Sequence, residues 1–567
     1  MKKIYYFAIS ILVALPSCSF LDLSPNVISK ETFYKSELEA KYGLSGVYGA
    51  MNHYQFYGNY FSLMLSGVDD LCYFNRAPQS STAAPQYRYD ASTTEIYEAW
   101  TRIYAGIRNA NAFMAAIDGS EYDPDGGMYN EARFLRAYYH FVLAQAWGDV
   151  PMRKEEVTEH KDVLCAASPQ YEVLSWAASE MEECLGKAAE DPAIQPSRVT
   201  ATTIHGILSR VYLFMAGASV KGGDKKGFMQ KAMEHADEVI SSGLHRLNPD
   251  YSQVFINMIK DQYDTEYHES MWEVEFLGDR SSASSWSNGR IGDVIGLQST
   301  GSSDFATFKC NYSYGMYDGS LKLWDLYWAT DRTDDEYQLG RITDVRQEWN
   351  LPPYNYSGSN NPPYGSDGSD GKTKSLASID KTPYAYNSVT TTQDPTAAQA
   401  IRNCGKYRRE VEYEGVKTAK NLWTTINYPL LRYSDVLLMY AEASNEYEGA
   451  PSRKAYDCVK LVRDRAGIKT LPYESYDRDS FRELVRNERG RELCFESLRK
   501  YDLIRWGIFV KAMNEYGQWT ADERWNKNTK SGYAAAIGEA VAERHVCLPI
   551  PNIELGVNTL LVQNPLW

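Results

Sequence analysis

Apolar residues return every third or fourth position through two blocks of this chain, and between the blocks the period disappears for roughly 180 residues. In the first block, from residue 31 to 248, five segments read as helices, among them TTEIYEAWTRIYAGIRNANAFMAAI, NEARFLRAYYHFVLAQAWGDVP and ATTIHGILSRVYLFMAGA. Phe134, Leu135, Tyr138, Phe141 and Val142 form one helical stripe, with Gly148 and Pro151 as stop signals. The same spacing resumes after residue 428. Tyr433, Val436, Leu437, Tyr440 and Ala441 mark one helix; Ala455, Cys458, Val459 and Val462 mark the next, closed by Gly467. Two helices and a turn fill the ~34 residues of a tetratricopeptide unit. The expected fold class is therefore mainly α, a tetratricopeptide-like α-α superhelical scaffold.

The middle segment, 249–427, interleaves Gly, Ser, Pro, Asn and Tyr, as in LPPYNYSGSNNPPYGSDGSDGKTK, and reads as irregular loops with a few short strands. Loops this long are functional or disordered, and the Trp and Tyr content argues against simple disorder. The chain holds 44 Tyr and 13 Trp. A tyrosine ring has an apolar face and a polar tip, which suits half-apolar ligands such as sugars and equally suits the packing of helical repeats. Two regions supply candidate ligand-binding residues. SGVDDLCYFNRAPQ offers Asp69, Asp70, Tyr73 and Arg76, and the irregular segment offers Trp286, Tyr314, Tyr317, Trp324 and Trp328. A competing reading makes Trp324 and Trp328, at i and i+4 beside Leu321 and Leu323, a helix face packed in the core. Trp100 reads as structural.

At the N-terminus, Met1 to Lys3 give a positive region and Ile4 to Leu15 an apolar run too short to span a bilayer, followed by Leu15-Pro16-Ser17-Cys18. This is the pattern of a signal peptide (1–17) ending in a lipobox, with lipidation of Cys18 and a tether over 18–30. Pro16 is unusual there, and an ordinary cleaved signal or an N-terminal strand are the alternatives. No later stretch reaches ~18 consecutive apolar residues, so the expected anchor is the lipid. The formal charge is -15, and removal of Lys2 and Lys3 with the signal leaves -17, a poor match to nucleic acid or anionic lipid. Beyond Cys18, the remaining eight of nine cysteines are too scattered to suggest a disulfide framework.

Catalytic patterns fall short. A phosphate loop in GSDGSDGKT would need glycine where Ser366 stands, and His268-Glu269 lacks the second histidine of a zinc protease. Glu488, Glu492 and Glu496 repeat at i, i+4 and i+8 among Arg489, Arg499, Asp502 and Arg505. A glycosidase needs two carboxylates across a sugar, but a ladder of this kind reads first as structural ion pairs within or between helices. The acidic turns Asp123–Gly126 and Asp331–Glu336 lack calcium-loop spacing. No metal, cofactor or catalytic residue is expected.

Seven segments, in this order, carry a resemblance: CSFLDLSP, EAWTRIYAGIRNAN, EARFLRAYYHFVLAQAWGDVP, YPLLRYSDVLLMYAEA, AYDCVKLVRDRAG, ERGRELCFESLRKYDLIRWG and LPIPNIELGVNTLLVQNPLW. Together they resemble the SusD/RagB family, the outer-membrane nutrient-binding lipoproteins of Bacteroidota. Ser497, where the family often has glycine, is a departure. The resemblance implies a right-handed array of helix pairs covered by loops, with 18–567 forming one unit made of a helical part (31–248), a loop-rich part (249–427) and a second helical part (428–567). It implies a non-catalytic receptor, lipid-anchored at the outer membrane and facing the exterior. Such a receptor would capture an oligosaccharide, or in the RagB branch a peptide, and pass it to a SusC-like TonB-dependent transporter.

Overall fold

The stripe on Phe134, Leu135, Tyr138, Phe141 and Val142 belongs to the most deeply buried long helix of the structure, a computed structural model that describes residues 33–78, 80–159, 163–189, 195–277, 287–299, 312–328, 344–352, 402–409, 412, 422–519 and 529–567, with the side chains of 328, 516–519 and 529–531 left aside. The N-terminal array is built from α1 (Glu37–Tyr48), α2 (Thr94–Ile117), α3 (Gly127–Trp147), α4 (Gln170–Glu182), α5 (Ala201–Ala216) and α6 (Lys225–Ser242). Caps set three of the starts. Ser36, Thr200 and Asp224 each accept a backbone N–H from the first turn that follows, satisfying a donor the helix itself cannot. Consecutive members pack as neighbours, α2 on α3, α3 on α4 and α5 on α6. The sequence shows one apolar stripe on α3, yet from Phe134 to Trp147 the helix is buried on every side. Its polar positions tolerate this because they are paired. Arg136 reaches Glu180 at 2.5 Å, and His140 donates from Nδ1 to the Arg136 carbonyl at 2.8 Å while its Nε2 accepts the Arg153 N–H at 3.0 Å.

At Gly243 the chain leaves this array, and it returns only at Arg432. The excursion carries α7 (Tyr251–Ile259), α8 (Leu321–Trp328) and α9 (Val345–Asn350), and short strands tie it to the scaffold. Strand β1 (Cys72–Phe74) comes from the N-terminal part; β2 (Val150–Pro151) and β3 (Ala167–Ser168) pair with each other. In the excursion, β4 (Ser270–Val274) pairs antiparallel with β6 (Tyr428–Arg432), from Ser270 opposite Arg432 to Val274 opposite Tyr428, and so holds the outgoing and returning chain side by side. β5 (Tyr317–Gly319) pairs antiparallel with β1. After β6 the helices resume as α10 (Tyr433–Glu448), α11 (Arg453–Arg465), α12 (Arg478–Leu493), α13 (Arg499–Arg505), α14 (Phe509–Trp519), α15 (Thr529–Ala540) and α16 (Asn552–Val557). Helix α10 packs along α6 as α5 does, so the superhelix continues across the excursion.

A buried ionic cluster fixes the neck. Arg432, at the end of β6, touches Glu269 at 3.0 Å, Glu492 at 3.0 Å and Glu496 at 2.7 Å, with all four side chains buried. Arg465 adds contacts to Glu269 (3.1 Å) and Glu492 (2.6 Å), Lys406 to Glu496 (2.7 Å), and Arg346 to Asp344 (2.8 Å) and Glu492 (3.0 Å). Arg463 and Arg491 reach Glu488 at 3.1 and 3.0 Å. The glutamate ladder, with Glu488 and Glu492 on α12 and Glu496 just past its end, is thus structural, and it bonds mostly to other elements. Burial alone would raise the Glu492 carboxyl, but Arg465, Arg432 and Arg346 overcome it and hold it well below the carboxylate range. A second cluster crosses the join between blocks: Asp435 of α10 meets Arg210 of α5 at 2.6 Å and Arg489 of α12 at 2.7 Å.

Removing one member of such a cluster strands the others. Arg432→Met is expected to lower the unfolding free energy by about 3–5 kcal/mol, read from denaturant or thermal unfolding. Arg453→Ala, which breaks the exposed Arg453–Asp457 pair, should leave the same curve in place. Acid should unfold the protein in two stages. Burial holds His140 at about 4 against its ordinary 6.5, so below pH 6.5 the unfolded chain takes the proton first and stability falls. Asp435, which burial opposes but Arg489 and Arg210 hold at about 2, stabilises fully above its ordinary 3.8 and loses that contribution as pH falls toward 2. A thermal midpoint that stays level between pH 6.5 and pH 4 would refute the His140 assignment, and one level between pH 4 and pH 2 the Asp435 assignment.

Candidate ligand-binding site

The stretch after α1, YQFYGNYFSLML, carries no helical stripe, and it folds as two short π-helical turns, Tyr54–Gly58 and Tyr60–Leu65. Phe56 (φ -106, ψ -111) kinks the first turn and Asn59 (φ -167, ψ -61) separates it from the second; such wider winding recurs at functional sites. Gly58 lies under the segment 288–290: a Cβ there would come within 2.6 Å of the Asn288 carbonyl oxygen, and the Gly58 carbonyl accepts the Arg290 N–H at 2.8 Å. This close approach brings Arg290 beside the π-helical tyrosines. Thr424 then docks its own segment onto the same strip. Its N–H donates to the Gly289 carbonyl at 3.0 Å and its hydroxyl to the Ile291 carbonyl at 2.6 Å, which places Trp423 at the surface.

A row of half-buried aromatic rings results. Tyr60 and Tyr54 meet edge to face at 4.8 Å, and Tyr54 and Trp423 do so at 5.3 Å. The Arg290 guanidinium lies 5.8 Å from both the Trp423 and Tyr314 rings, bridging them, and Tyr314 meets Tyr312 at 4.9 Å. Buried Asp293 pairs with Arg290 and accepts the Tyr314 N–H at 3.2 Å, which fixes both groups. Burial raises the Asp293 carboxyl even against Arg290 and Arg409. At the far end, burial and then Tyr54, Glu95 and Glu98 push the Tyr60 hydroxyl up to about 12, so it stays a neutral donor. Arg76 closes the other end, donating to the Tyr314 carbonyl at 3.0 Å.

Of the residues proposed from sequence, Arg76 and Tyr314 sit together in this row. Asp69, Asp70, Tyr73 and Trp324 do not reach a surface, and their reading as ligand contacts is corrected. Polarity suggested an exposed loop at Asp69-Asp70, but Asp70 is fully buried against Arg499 (2.8 Å) and Lys322 (2.7 Å). Burial opposes ionisation of Asp70, and those two cations outweigh it and hold the carboxyl at about 2. Asp69 is buried beside it, accepts the Leu71 N–H at 2.8 Å, and is pushed up by burial and by Asp70 to about 8. Tyr73 is interior to the β1–β5 pair and its hydroxyl faces Asp318 at 3.4 Å; Tyr317 caps the Leu63 carbonyl at 2.6 Å. Trp324 packs under Arg402 at 4.5 Å with 5% of its surface exposed, as the helix-face reading has it. Trp286 lies outside the described residues.

Tyr54, Tyr60, Arg290, Tyr312 and Trp423 belong to the row without any helical stripe or motif in the sequence to single them out. The available signal was negative: aromatic residues clustered where helical period is lacking. An internal cavity of about 60 Å³, lined by Tyr57, Tyr138, Arg210, Glu496 and Tyr501, has room for water molecules and none for a sugar ring.

Comparison with known proteins decides the lineage. The SusD family profile matches residues 268–567, and a second profile, described as starch-binding associating with outer membrane, matches residues 19–213. The chain belongs to the SusD family. SusD-like protein P25 of Formosa agariphila is 23% identical over 569 residues, covering 97% of this chain and 95% of its own length. The crystal structure of a SusD homologue from Bacteroides thetaiotaomicron matches with a TM-score of 0.79 at 24% identity, over 95% of this chain and 98% of that one. A laminarin-binding SusD-like protein matches with a TM-score of 0.65 at 18% identity, over 94% and 100% of the two chains. The SusD fold is therefore shared along essentially the whole length.

The two tryptophans should separate cleanly in unfolding experiments. Trp324→Ala opens a core cavity and is expected to cost about 3–5 kcal/mol, whereas half-exposed Trp423→Ala should cost under about 1 kcal/mol.

Proposed function

We propose that this SusD-family chain is a non-catalytic surface receptor that captures an oligosaccharide on the aromatic row and hands it to a SusC-like TonB-dependent transporter. The observation that carries the reading is the row itself. Tyr54, Tyr60, Tyr312, Tyr314 and Trp423 come from three separate parts of the chain and form one run of half-exposed rings, bridged at Trp423 and Tyr314 by the Arg290 guanidinium. A sugar presents C–H faces to such rings and hydroxyls to the tyrosine tips and to Arg290, so binding needs no covalent step. The family description, starch-binding associating with outer membrane, supports the same ligand class and place. A lipid on Cys18 would hold the receptor at the outer face of that membrane, where the ligand arrives.

Capture and delivery are then separable. Loops bind while the superhelix keeps them in register, and the transporter supplies passage. Isothermal titration of the purified protein against panels of glycans and of peptides tests the ligand: heat with a glycan, weakened about tenfold by Trp423→Ala at unchanged thermal midpoint, is expected, since loss of a stacked ring is worth on the order of 1–2 kcal/mol. Heat with peptides alone would favour a RagB-type peptide receptor, and shortened glycan products would indicate a glycoside hydrolase. Cys18→Ala should release the protein from membranes and leave its titration unchanged. Glycan uptake that survives deletion of the partner transporter would contradict the hand-over.

A further inference from the structure

We infer that the Arg76 end of the aromatic row is a subsite for an anionic group on the sugar, a carboxylate or a sulfate ester, so that the captured glycan is an acidic one. This rests on the row being the glycan site and adds the class of glycan.

The basis is how Arg76 is held. Its guanidinium donates from Nη1 to the carbonyl and side-chain oxygens of Asn75 and from Nη2 to the Tyr314 carbonyl at 3.0 Å. All three acceptors are neutral. Among the described residues no carboxylate lies within salt-bridge distance of it, whereas its neighbours are neutralised: Arg290 by Asp293, and Arg409 by Glu412. The support beneath Arg76 is rigid. Buried Asn75 donates from Nδ2 to the Gly315 carbonyl at 2.8 Å and to Asp318 at 2.7 Å, so its side-chain oxygen is turned toward the guanidinium. A half-buried cation fixed by neutral acceptors keeps its charge and part of its fork for an incoming anion.

Position gives the inference its direction. Arg76 adjoins the Tyr312–Tyr314 pair through the Tyr314 carbonyl, and its charge and that of Asp293 act in opposite senses on the Tyr312 hydroxyl. At the opposite end, Glu95 and Glu98 face Tyr60. Among the described residues the row therefore ends in an unpaired cation at Arg76, since the Asp293 carboxylate beside Tyr314 is already paired with Arg290, while the charges of Glu95 and Glu98 act on Tyr60 at the other end. An acidic sugar would lie over Tyr312 and Tyr314 with its anion on Arg76, and neutral sugars would continue over Trp423 and Tyr54. The overall charge of -15 does not oppose this at contact, because exposed charges beyond ~8 Å are largely screened at physiological salt.

The test uses the purified lipoprotein in detergent and matched glycan pairs. The pairs are oligogalacturonate with its methyl ester and sulfated galactan oligosaccharide with its desulfated form, and laminarin and starch oligosaccharides serve as neutral references. At least one acidic member should bind at least tenfold tighter than its neutral twin, and raising NaCl from 50 to 500 mM should weaken it about tenfold while sparing neutral ligands. The carboxylate and sulfate arms identify the source of the anion. Arg76→Gln should abolish the preference, and Arg76→Lys should retain it at reduced affinity. If neutral glycans bind and no acidic member is preferred, or if Arg76→Gln leaves the preference intact, the subsite is refuted and the glycan reading stands. If no glycan binds, both fall.

Discussion

A buried arginine at the neck sets where the chain between residues 243 and 432 leaves and rejoins the superhelix. Arg432 ends the strand that returns the chain to the superhelix, and its two terminal nitrogens meet Glu269 from the outgoing strand's edge and Glu492 and Glu496 from the C-terminal block. Hydrophobic contacts tolerate sliding, whereas a bidentate cation among three buried carboxylates accepts one geometry. Buried ion pairs replaced whole by apolar residues often lose no stability, so the cluster is better understood as specifying where the excursion leaves and rejoins than as a net source of stability. With the neck fixed, α10 can lie along α6 as if the intervening residues were absent.

That arrangement explains which parts of the fold are legible in the sequence. Helices follow from local period, because neighbours three and four residues apart share a face, and the stripes on α3, α10 and α11 mark real helices. Partners do not follow. Glu488 and Glu492 show their spacing openly, and their structural role is readable from it, but Arg346 and Arg432 stand far away in sequence and no period links them. Asp69 and Asp70 mislead for the same reason. Two adjacent aspartates look solvated until Arg499 and Lys322, distant in sequence, are brought against them.

The candidate site is less legible still, and its construction shows why. Tyr54 and Tyr60 lie on π-helical turns, which have no stripe to recognise; Trp423 is placed by a side-chain hydrogen bond from Thr424; Arg290 is placed by the bare backbone of Gly58. Each of these is a tertiary event. Only Arg76 and Tyr314, polar and aromatic residues in segments without period, could be picked from composition and context, and they turn out to share one hydrogen bond.

Rigidity and recognition are thus assigned to different residue classes. Charges are spent inside, where Arg432, Arg489 and their partners set the relative position of the helical blocks. Aromatic rings are exposed at the seam where the π-helical turns, the 288–299 strip and the Trp423 segment meet. None of those rings contributes to the ion clusters, so exchanging one alters the ligand face without disturbing the neck. Arg76 is the exception in kind, a charge placed at the surface on neutral supports. At the end of an open row, an anionic partner for such a cation can come with the ligand.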